Sequence, residues 1–125
     1  MSAILVIDNH EAVRRLVRHM LEPVGYEVLE ASNSAEALTL GSSRLIDIVM
    51  MDVIQPAKEG LEAVLSIRQS FPQSKIVAMT GQNHPTLDVL ETSRLFGAHA
   101  TLLKPFAQDT LFKVLSFLWR RRLAA

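Results

Sequence analysis

Several residue types and patterns are missing from this chain, and each absence excludes a class of protein. The 125 residues include no cysteine, which excludes disulfides and cysteine-based metal sites. The formal net charge is zero, so no overall field favours nucleic acid or a membrane surface. No apolar stretch approaches the roughly 20 residues of a membrane helix, and the N-terminal apolar run is too short for a signal peptide. We therefore expect one globular domain located in the cytoplasm.

Four short apolar runs are present, and each leads into one polar residue. These four residues are Asp8, Asp52, Thr80 and Lys104. Short, branched and nearly continuous apolar runs are typical of strands buried on both faces of a parallel sheet. Because ligands bind beyond the carboxyl ends of the strands in an open α/β sheet, we expect these four side chains at one edge. Two carboxylates, a hydroxyl and an ammonium are suited to hold a divalent cation and a phosphoryl group.

Helix-like segments alternate with the strand-like runs, which predicts βαβ units and a parallel sheet. The clearest helix carries an apolar stripe at helical spacing and ends at Pro23 and Gly25. The members of that stripe are Val13, Leu16, Val17, Met20 and Leu21. Further segments are predicted as a strand over 26–29, helices over 35–40 and 60–70, a loop over 55–58, a fourth helix from Pro85 and a last helix from Asp109. The helix over 60–70 is expected to direct Leu61, Val64 and Leu65 inward.

Together these residues resemble the receiver domains of two-component response regulators along nearly the whole chain. Asp8 lies where the family has its acidic corner, and Asp52, followed by Pro56 and Gly60, resembles the phosphoacceptor loop. Thr80-Gly81 resembles the switch threonine, and Lys104-Pro105-Phe106 resembles the closing signature of the family. The resemblance implies an α/β, flavodoxin-like (βα)5 doubly wound sandwich. Its parallel strands would run in the order 2-1-3-4-5 with helices on both faces, and the bond before Pro105 would be cis.

The resemblance also implies a chemistry, in which Asp52 receives a phosphoryl group from a histidine kinase or a phosphotransfer protein. The step would depend on Mg²⁺, which prefers oxygen ligands, and the chain would not be a turnover enzyme. Lys104 and Thr80 would contact the phosphoryl oxygens. The expected metal ligands are Asp8, Asn9, Asp52 and the backbone carbonyl of Ile54. Phosphorylation would then reshape a face built by the fourth helix, the fifth strand and the last helix.

Two departures from the family pattern leave a second hypothesis open. The acidic corner is usually a pair of carboxylates, but here it is Asp8-Asn9, which predicts weaker Mg²⁺ binding than in a typical receiver. Thr101 stands three residues before Lys104, where many receivers carry an aromatic side chain that swings inward on activation. The alternative is a degenerate receiver that binds a partner without phosphorylation. A phosphatase of the haloacid dehalogenase type is disfavoured, since Ile54 occupies the place of its second aspartate.

The remaining notable residues favour structural roles. The histidines show no metal-ligand spacing and are predicted to lie at the surface; they are His10, His19, His84 and His99. Phe112 and Trp119 flank the apolar stripe of the last helix, which predicts either extra core coverage or a contact with a second copy or an output domain. The arginine run near the C-terminus is too short to indicate direct nucleic-acid binding. We expect a receiver domain over 1–120, with 121–125 as a tail or the start of a linker.

Overall fold

A single five-stranded parallel sheet is the centre of the computed structural model, which describes residues 2–53, 57–81, 93–94 and 96–124. The strands run in the order β2-β1-β3-β4-β5, which confirms the predicted 2-1-3-4-5 topology. Their bounds are β1 Ala3–Ile7, β2 Glu27–Ala31, β3 Ile48–Asp52, β4 Lys75–Gly81 and β5 Ala100–Lys104. In this order β1, β3, β4 and β5 are consecutive neighbours, so their carboxyl ends form one continuous edge.

The apolar runs of β1, β3 and β4 form strands that are covered on both faces, whereas β5 lies at the edge of the sheet and its Leu103 is 39% exposed, contrary to the predicted burial on both faces. All five residues of β1 and all five of β3 are buried. Successive side chains alternate between the two faces of a strand, so Leu5 packs into one core cluster and Ile4 into the other. The register pairs Ile4 with Ile48 across β1 and β3. The sheet therefore separates two apolar cores.

Helices cover both faces of the sheet, as predicted. They are α1 Glu11–Leu21, α2 Ser34–Gly41, α3 Ala57–Ser70 and a C-terminal helix Gln108–Ala124, with a short 3₁₀ segment Glu22–Val24 after α1. Ala37 of α2 and Ile67 of α3 belong to the core cluster on one face. Val17 of α1 and Leu115 of the C-terminal helix belong to the cluster on the other face. Asn33 caps α2, because its side chain accepts a hydrogen bond from the Glu36 amide at 2.9 Å.

Several element boundaries differ from the sequence predictions. The helix α3 begins at Ala57, whereas the sequence predicts a loop over 55–58. A proline just before a helix start in the sequence is compatible with this boundary, because the backbone N–H groups of the first turn make no hydrogen bonds within the helix. The strand β2 begins at Glu27 and continues to Ala31, beyond the predicted 26–29. The C-terminal helix continues through 121–124, the positions that the sequence analysis assigns to a tail or the start of a linker. The division between receiver and linker stays a prediction.

Two residues predicted to face the core are exposed instead. Leu16 of α1 and Leu65 of α3 each keep 43% of their surface accessible. Val17 and Val64, their sequence neighbours, are fully buried. The apolar stripes on both helices are wider than the face that the sheet covers, so the leucine at the margin of each stripe remains in contact with water.

Several predictions fall outside the described residues. These are the backbone carbonyl of Ile54, the loop residues 55–56, His84 and the core of the predicted fourth helix over 85–92. Gly25, the predicted end of the first helix, and Gly97 have φ angles of +102° and +121°, a region that glycine adopts without strain. The Lys104-Pro105 bond is cis, as the resemblance implied. In the part of the chain that the structure describes, no helix has the length and apolarity to span a membrane.

Candidate functional site

Four polar residues gather at the carboxyl edge of the sheet. Asp8 directly follows β1, Asp52 ends β3, Thr80 lies near the end of β4, and Lys104 ends β5. Asp8 and Thr80 are fully buried, and Asp52 is 5% exposed. Buried polar groups of this kind require partners, so the contacts between them define the site.

The ammonium of Lys104 connects the two carboxylates. Its Nζ donates to Oδ2 of Asp8 at 2.9 Å and to Oδ2 of Asp52 at 3.0 Å. The structure thus brings together three residues that lie 44 and 52 positions apart along the chain. Charge-assisted hydrogen bonds are about twice as strong as neutral ones, and here two of them fix one cation between two anions.

The environment of Lys104 keeps it charged. Burial alone would lower the pKa of Lys104, but the hydrogen bonds and negative charges of Asp8 and Asp52 outweigh burial, so its pKa lies above the ordinary lysine value. The ammonium is therefore present at neutral pH. A fixed positive charge beside a carboxylate is suited to receive the oxygens of an incoming anion.

Thr80 is the one residue of the four whose side chain is unsatisfied. Its Oγ1 is buried and has no hydrogen-bond partner among the described residues. Such groups are rare in folded proteins and mark places where a ligand or a water molecule is expected. Thr80 neighbours β5 in the sheet, opposite Leu103 and next to the Gly81–Lys104 pair, so the free hydroxyl lies close to the strand end that carries Lys104.

The loop after β1 is held by Arg14, whose role has no signal in the sequence pattern. Arg14 of α1 donates from Nη1 to the backbone carbonyl of Asp8 at 2.7 Å. Its Nε donates to Oε1 of Glu30 at 3.0 Å, and Arg18 donates to the other oxygen of the same carboxylate at 2.9 Å. A helical spacing of arginines is typical of a solvated face, so only the fold reveals that Arg14 positions the Asp8 loop.

His10 also belongs to this loop and lies beside the Asp8 carboxylate. Its side chain is 67% exposed, as expected for a surface histidine. Its Nδ1 nevertheless lies 3.2 Å from Oδ1 of Asp8, and its backbone amide donates to the same oxygen at 2.8 Å. Ligand atoms of Asp8, His10 and Asp52 all lie within 4.8 Å of one another. Asp8 and His10 are only two positions apart, but Asp52 is distant from both in the sequence, so ligand spacing along the chain does not show this group.

The other predicted residues divide between core and surface. His19 is exposed, whereas His99 is only partly exposed and its Nδ1 accepts a hydrogen bond from the Ile76 amide at 3.0 Å, so the surface prediction is wrong for His99. Phe112 and Trp119 are partly buried against the core, and the Trp119 indole donates to the Tyr26 hydroxyl at 2.9 Å. This confirms the core coverage predicted for both aromatic residues. Their contact with a second copy or an output domain stays a prediction.

The chain is similar to known proteins over most of its length. A profile for the response regulator receiver domain matches residues 4–116. The sensor kinase/phosphatase CqsS of Vibrio cholerae, described as a sensor of the autoinducer CAI-1, is 38% identical over 86% of this chain and 16% of its own length. The transcriptional regulatory protein PhoP of Bacillus subtilis, described as acting in alkaline phosphatase synthesis, is 31% identical over 98% of this chain and 50% of its own length. The chain thus spans half or less of these two curated relatives.

The fold comparison agrees with the sequence comparison. The crystal structure of a response regulator from Thermotoga maritima aligns with a TM-score of 0.86 and 29% identity, covering 94% of this chain and 97% of that one. The chain therefore belongs to the response regulator receiver domain family. Receiver domains are signalling modules of two-component systems and not turnover enzymes.

Proposed function

We propose that this receiver domain accepts a phosphoryl group on Asp52, in the cytoplasm, from a histidine kinase or a phosphotransfer protein. One observation supports this assignment above the others: Lys104 bridges Asp8 and Asp52 while the buried Thr80 hydroxyl beside it has no partner among the described residues. A phosphoryl group on Asp52 has three terminal oxygens. Lys104 and Thr80 would each donate a hydrogen bond to one of them.

The reaction needs a nucleophile and charge neutralisation, and the site offers both. An Asp52 oxygen attacks the phosphorus and forms an acyl phosphate, while the bond from phosphorus to the donor breaks and the donor leaves with the electron pair. With acetyl phosphate as the donor, acetate leaves and no proton has to move. Phosphoryl transfer depends mainly on positioning and on stabilising charge, and Lys104 supplies a positive charge already fixed at the attacking carboxylate.

The donor set at this edge fits Mg²⁺. Receiver domains bind Mg²⁺ at an acidic pocket, and Asp8 and Asp52 supply two carboxylates here. We assign Asp8, Asn9, Asp52 and the backbone carbonyl of Ile54 as the residues that would hold the ion, with water completing an octahedral shell. The bound ion would neutralise negative charge on the phosphoryl oxygens. Because Asn9 contributes no charge, we expect a lower Mg²⁺ affinity than in receivers with an acidic pair.

The proposed output follows from what Lys104 and Thr80 would do after transfer of the phosphoryl group to Asp52. Lys104 would exchange its bond with the unphosphorylated Asp52 carboxylate for one with the phosphoryl group, and Thr80 would move toward the same group. Both residues lie on the strands β4 and β5, so the change would reach the face of β5, the C-terminal helix and the predicted fourth helix. Thr101 leaves this face without the aromatic side chain found in many receivers. The domain would have two kinds of partner: a kinase or phosphotransfer protein that supplies the phosphoryl group, and an output domain or protein that responds to the change.

The proposal is tested by labelling with a small phosphodonor. The protein is incubated with MgCl₂ and acetyl phosphate, and intact masses are recorded for the native chain, Asp52→Asn and Asp109→Asn. We expect one phosphoryl adduct on the native chain and on Asp109→Asn, whose substituted residue is an exposed aspartate at the start of the C-terminal helix. Asp52→Asn should remain unlabelled. If the native chain stays unlabelled while a known receiver in the same tube is phosphorylated, the degenerate receiver that binds partners without phosphate is the better description.

A further inference from the structure

We infer that His10 is a third protein ligand of the metal pocket, which gives this receiver a mixed nitrogen and oxygen site. Such a site prefers first-row ions that accept imidazole, with Co²⁺ as the probe, over Mg²⁺. The inference rests on the metal pocket assigned to Asp8 and Asp52 under the proposed function, and it concerns which ion that pocket selects.

The geometry places the imidazole among the oxygen ligands. One ligand atom from each of Asp8, His10 and Asp52 lies within 4.8 Å of the other two. Ligands of one ion with bonds of about 2.1 Å lie at most about 4.2 Å apart, so only a small contraction brings all three into one coordination shell. Lys104 contacts the Oδ2 atoms of both carboxylates, whereas His10 contacts Oδ1 of Asp8. The imidazole and the ammonium thus engage different oxygens of Asp8.

Within the part of the chain that the structure describes, the His10 side chain has no capping or core role that would compete with metal binding. It is the N-cap residue of α1, where serine, threonine, asparagine or aspartate usually accepts a hydrogen bond from the helix amides. The His10 side chain makes no such capping bond. It also contributes little to the core, since 67% of it is exposed. Its described contact is with a carboxylate that the proposed function assigns to the metal.

The chemistry of the donors sets the preference. Carboxylates and water suit Mg²⁺, while imidazole suits the later first-row ions, whose affinity for a given site rises from manganese to copper. Asn9 provides an uncharged amide where a second carboxylate is usual, which weakens the attraction for a hard ion. His10, the next residue after Asn9, adds an imidazole nitrogen to the donor set. The two residues together move the donor set away from the oxygen-only composition that favours Mg²⁺.

The experiment compares Co²⁺ and Mg²⁺ binding to the folded chain by isothermal titration calorimetry, with the visible absorption of Co²⁺ as a second readout. The variants are His10→Ala, His10→Gln, His19→Ala and Asp52→Asn. His19 is a matched control, because it is another exposed histidine, on α1. Glutamine at position 10 keeps a hydrogen-bond donor for Asp8 but offers no imidazole nitrogen.

We expect the native chain to bind Co²⁺ more tightly than Mg²⁺. His10→Ala and His10→Gln should each lose at least about tenfold in Co²⁺ affinity and change the Co²⁺ absorption spectrum, with Mg²⁺ affinity almost unchanged. His19→Ala should match the native chain. Full Co²⁺ affinity in His10→Gln, or an equal loss for both ions in His10→Ala, would overturn the inference, since His10 would then act only by orienting Asp8. Undiminished binding of both ions by Asp52→Asn would instead contradict the metal pocket itself.

Discussion

At the scale of single residues, Lys104 allows the carboxylates of Asp8 and Asp52 to lie close together. The two negative charges of Asp8 and Asp52 repel each other. The ammonium of Lys104 offsets this repulsion, with both carboxylates within 3.0 Å of its nitrogen. The same ammonium also competes with any cation that approaches Asp8 and Asp52. In the proposed reaction Lys104 would therefore oppose metal binding before transfer and would stabilise the phosphoryl group during it.

This double role predicts opposite effects for one substitution. Lys104→Met removes the competing charge, so we expect Mg²⁺ to bind about tenfold more tightly, equivalent to about 1.4 kcal/mol. The rate of labelling by acetyl phosphate should fall, since the group that stabilises the phosphoryl oxygens is missing. Magnesium titration and timed intact-mass measurements separate the two effects. Lys113→Met, which removes an exposed lysine of the C-terminal helix, should alter neither. A parallel loss of both properties in Lys104→Met would instead indicate general damage to the site.

Glu30 gives a second prediction at this scale, through the pH dependence of stability. Burial alone would raise the pKa of Glu30, but hydrogen bonds from Arg18 and Arg14 outweigh it and hold the pKa below the ordinary value of 4.5. A depressed pKa in the folded state means that the stabilisation is present above the unfolded pKa and is lost as pH falls through the folded pKa.

We therefore expect Glu30→Gln to lower the free energy of unfolding at pH 7 by about 1 kcal/mol, the upper range for a partly exposed pair. The difference between native and variant should shrink on acidification from about pH 5 to about pH 3. Urea unfolding at a series of pH values measures this, with the exposed Glu62→Gln as the matched control. A difference that is constant over that range would show that Glu30 acts through packing and not through its charge.

At the scale of elements, the sequence predicts strands better than helix faces. The strand ends at Asp8, Asp52, Thr80 and Lys104 follow from apolar runs that stop at polar residues, and parallel pairing then brings those ends together. Which residues of a helix are buried depends on how much of the helix the sheet covers, and periodicity does not reveal this. Periodicity therefore predicts that Leu16 and Leu65 face inward, although both are exposed.

The finer contacts of the site depend on backbone geometry rather than on local pattern. The bond from Arg14 to the Asp8 carbonyl and the approach of His10 to the Asp8 carboxylate both follow from the path of the loop into α1. Neither contact has a signal in residue type or spacing. Sequence reasoning therefore identifies the residues that end the strands, while the residues that orient them emerge only from the structure.

Gly41 shows a close approach between elements and gives the prediction at this scale. It is the last residue of α2, and the following Ser42 also has helical backbone angles. A Cβ atom at position 41 would overlap Cε1 and Cζ of the buried Phe71 ring. Gly41 is therefore required by the packing of α2 against the segment after α3, and not by a left-handed cap.

We expect Gly41→Ala to destabilise the protein by about 1–3 kcal/mol, the usual cost of overpacking, despite the better helix propensity of alanine. The cost should fall when Phe71→Leu removes the ring, so a double-mutant cycle measured by urea unfolding should show coupling between the two sites. Thr39→Ala, at an exposed position of the same helix, should be nearly neutral. Additive effects of Gly41→Ala and Phe71→Leu would mean that the ring is not the obstacle.

At the scale of the whole molecule, one sheet joins two cores and carries the site at its edge. The cluster with Ile67 lies on one face, and the cluster with Leu115 and Trp119 lies on the other. The strands β1, β3 and β4 contribute residues to both clusters, whereas β5 contributes to only one of them. The positions of Asp8 and Asp52 therefore depend on both cores, and the position of Lys104 depends mainly on the cluster with Leu115, although none of these residues belongs to either cluster.

This shared sheet predicts that both faces unfold together. Trp119 is the single tryptophan of the chain and lies on the face opposite Ile67. We expect Ile67→Val to cost about 1 kcal/mol and to lower the thermal midpoint by about 4 °C. The shift should be the same by Trp119 fluorescence as by far-ultraviolet circular dichroism, since two-state unfolding gives coincident transitions. Ile4→Val, on the Trp119 face, is the matched control and should shift both probes equally. If Ile67→Val lowers the circular dichroism midpoint but leaves the fluorescence midpoint unchanged, the two faces unfold separately. The edge residues would then lose their arrangement in two steps.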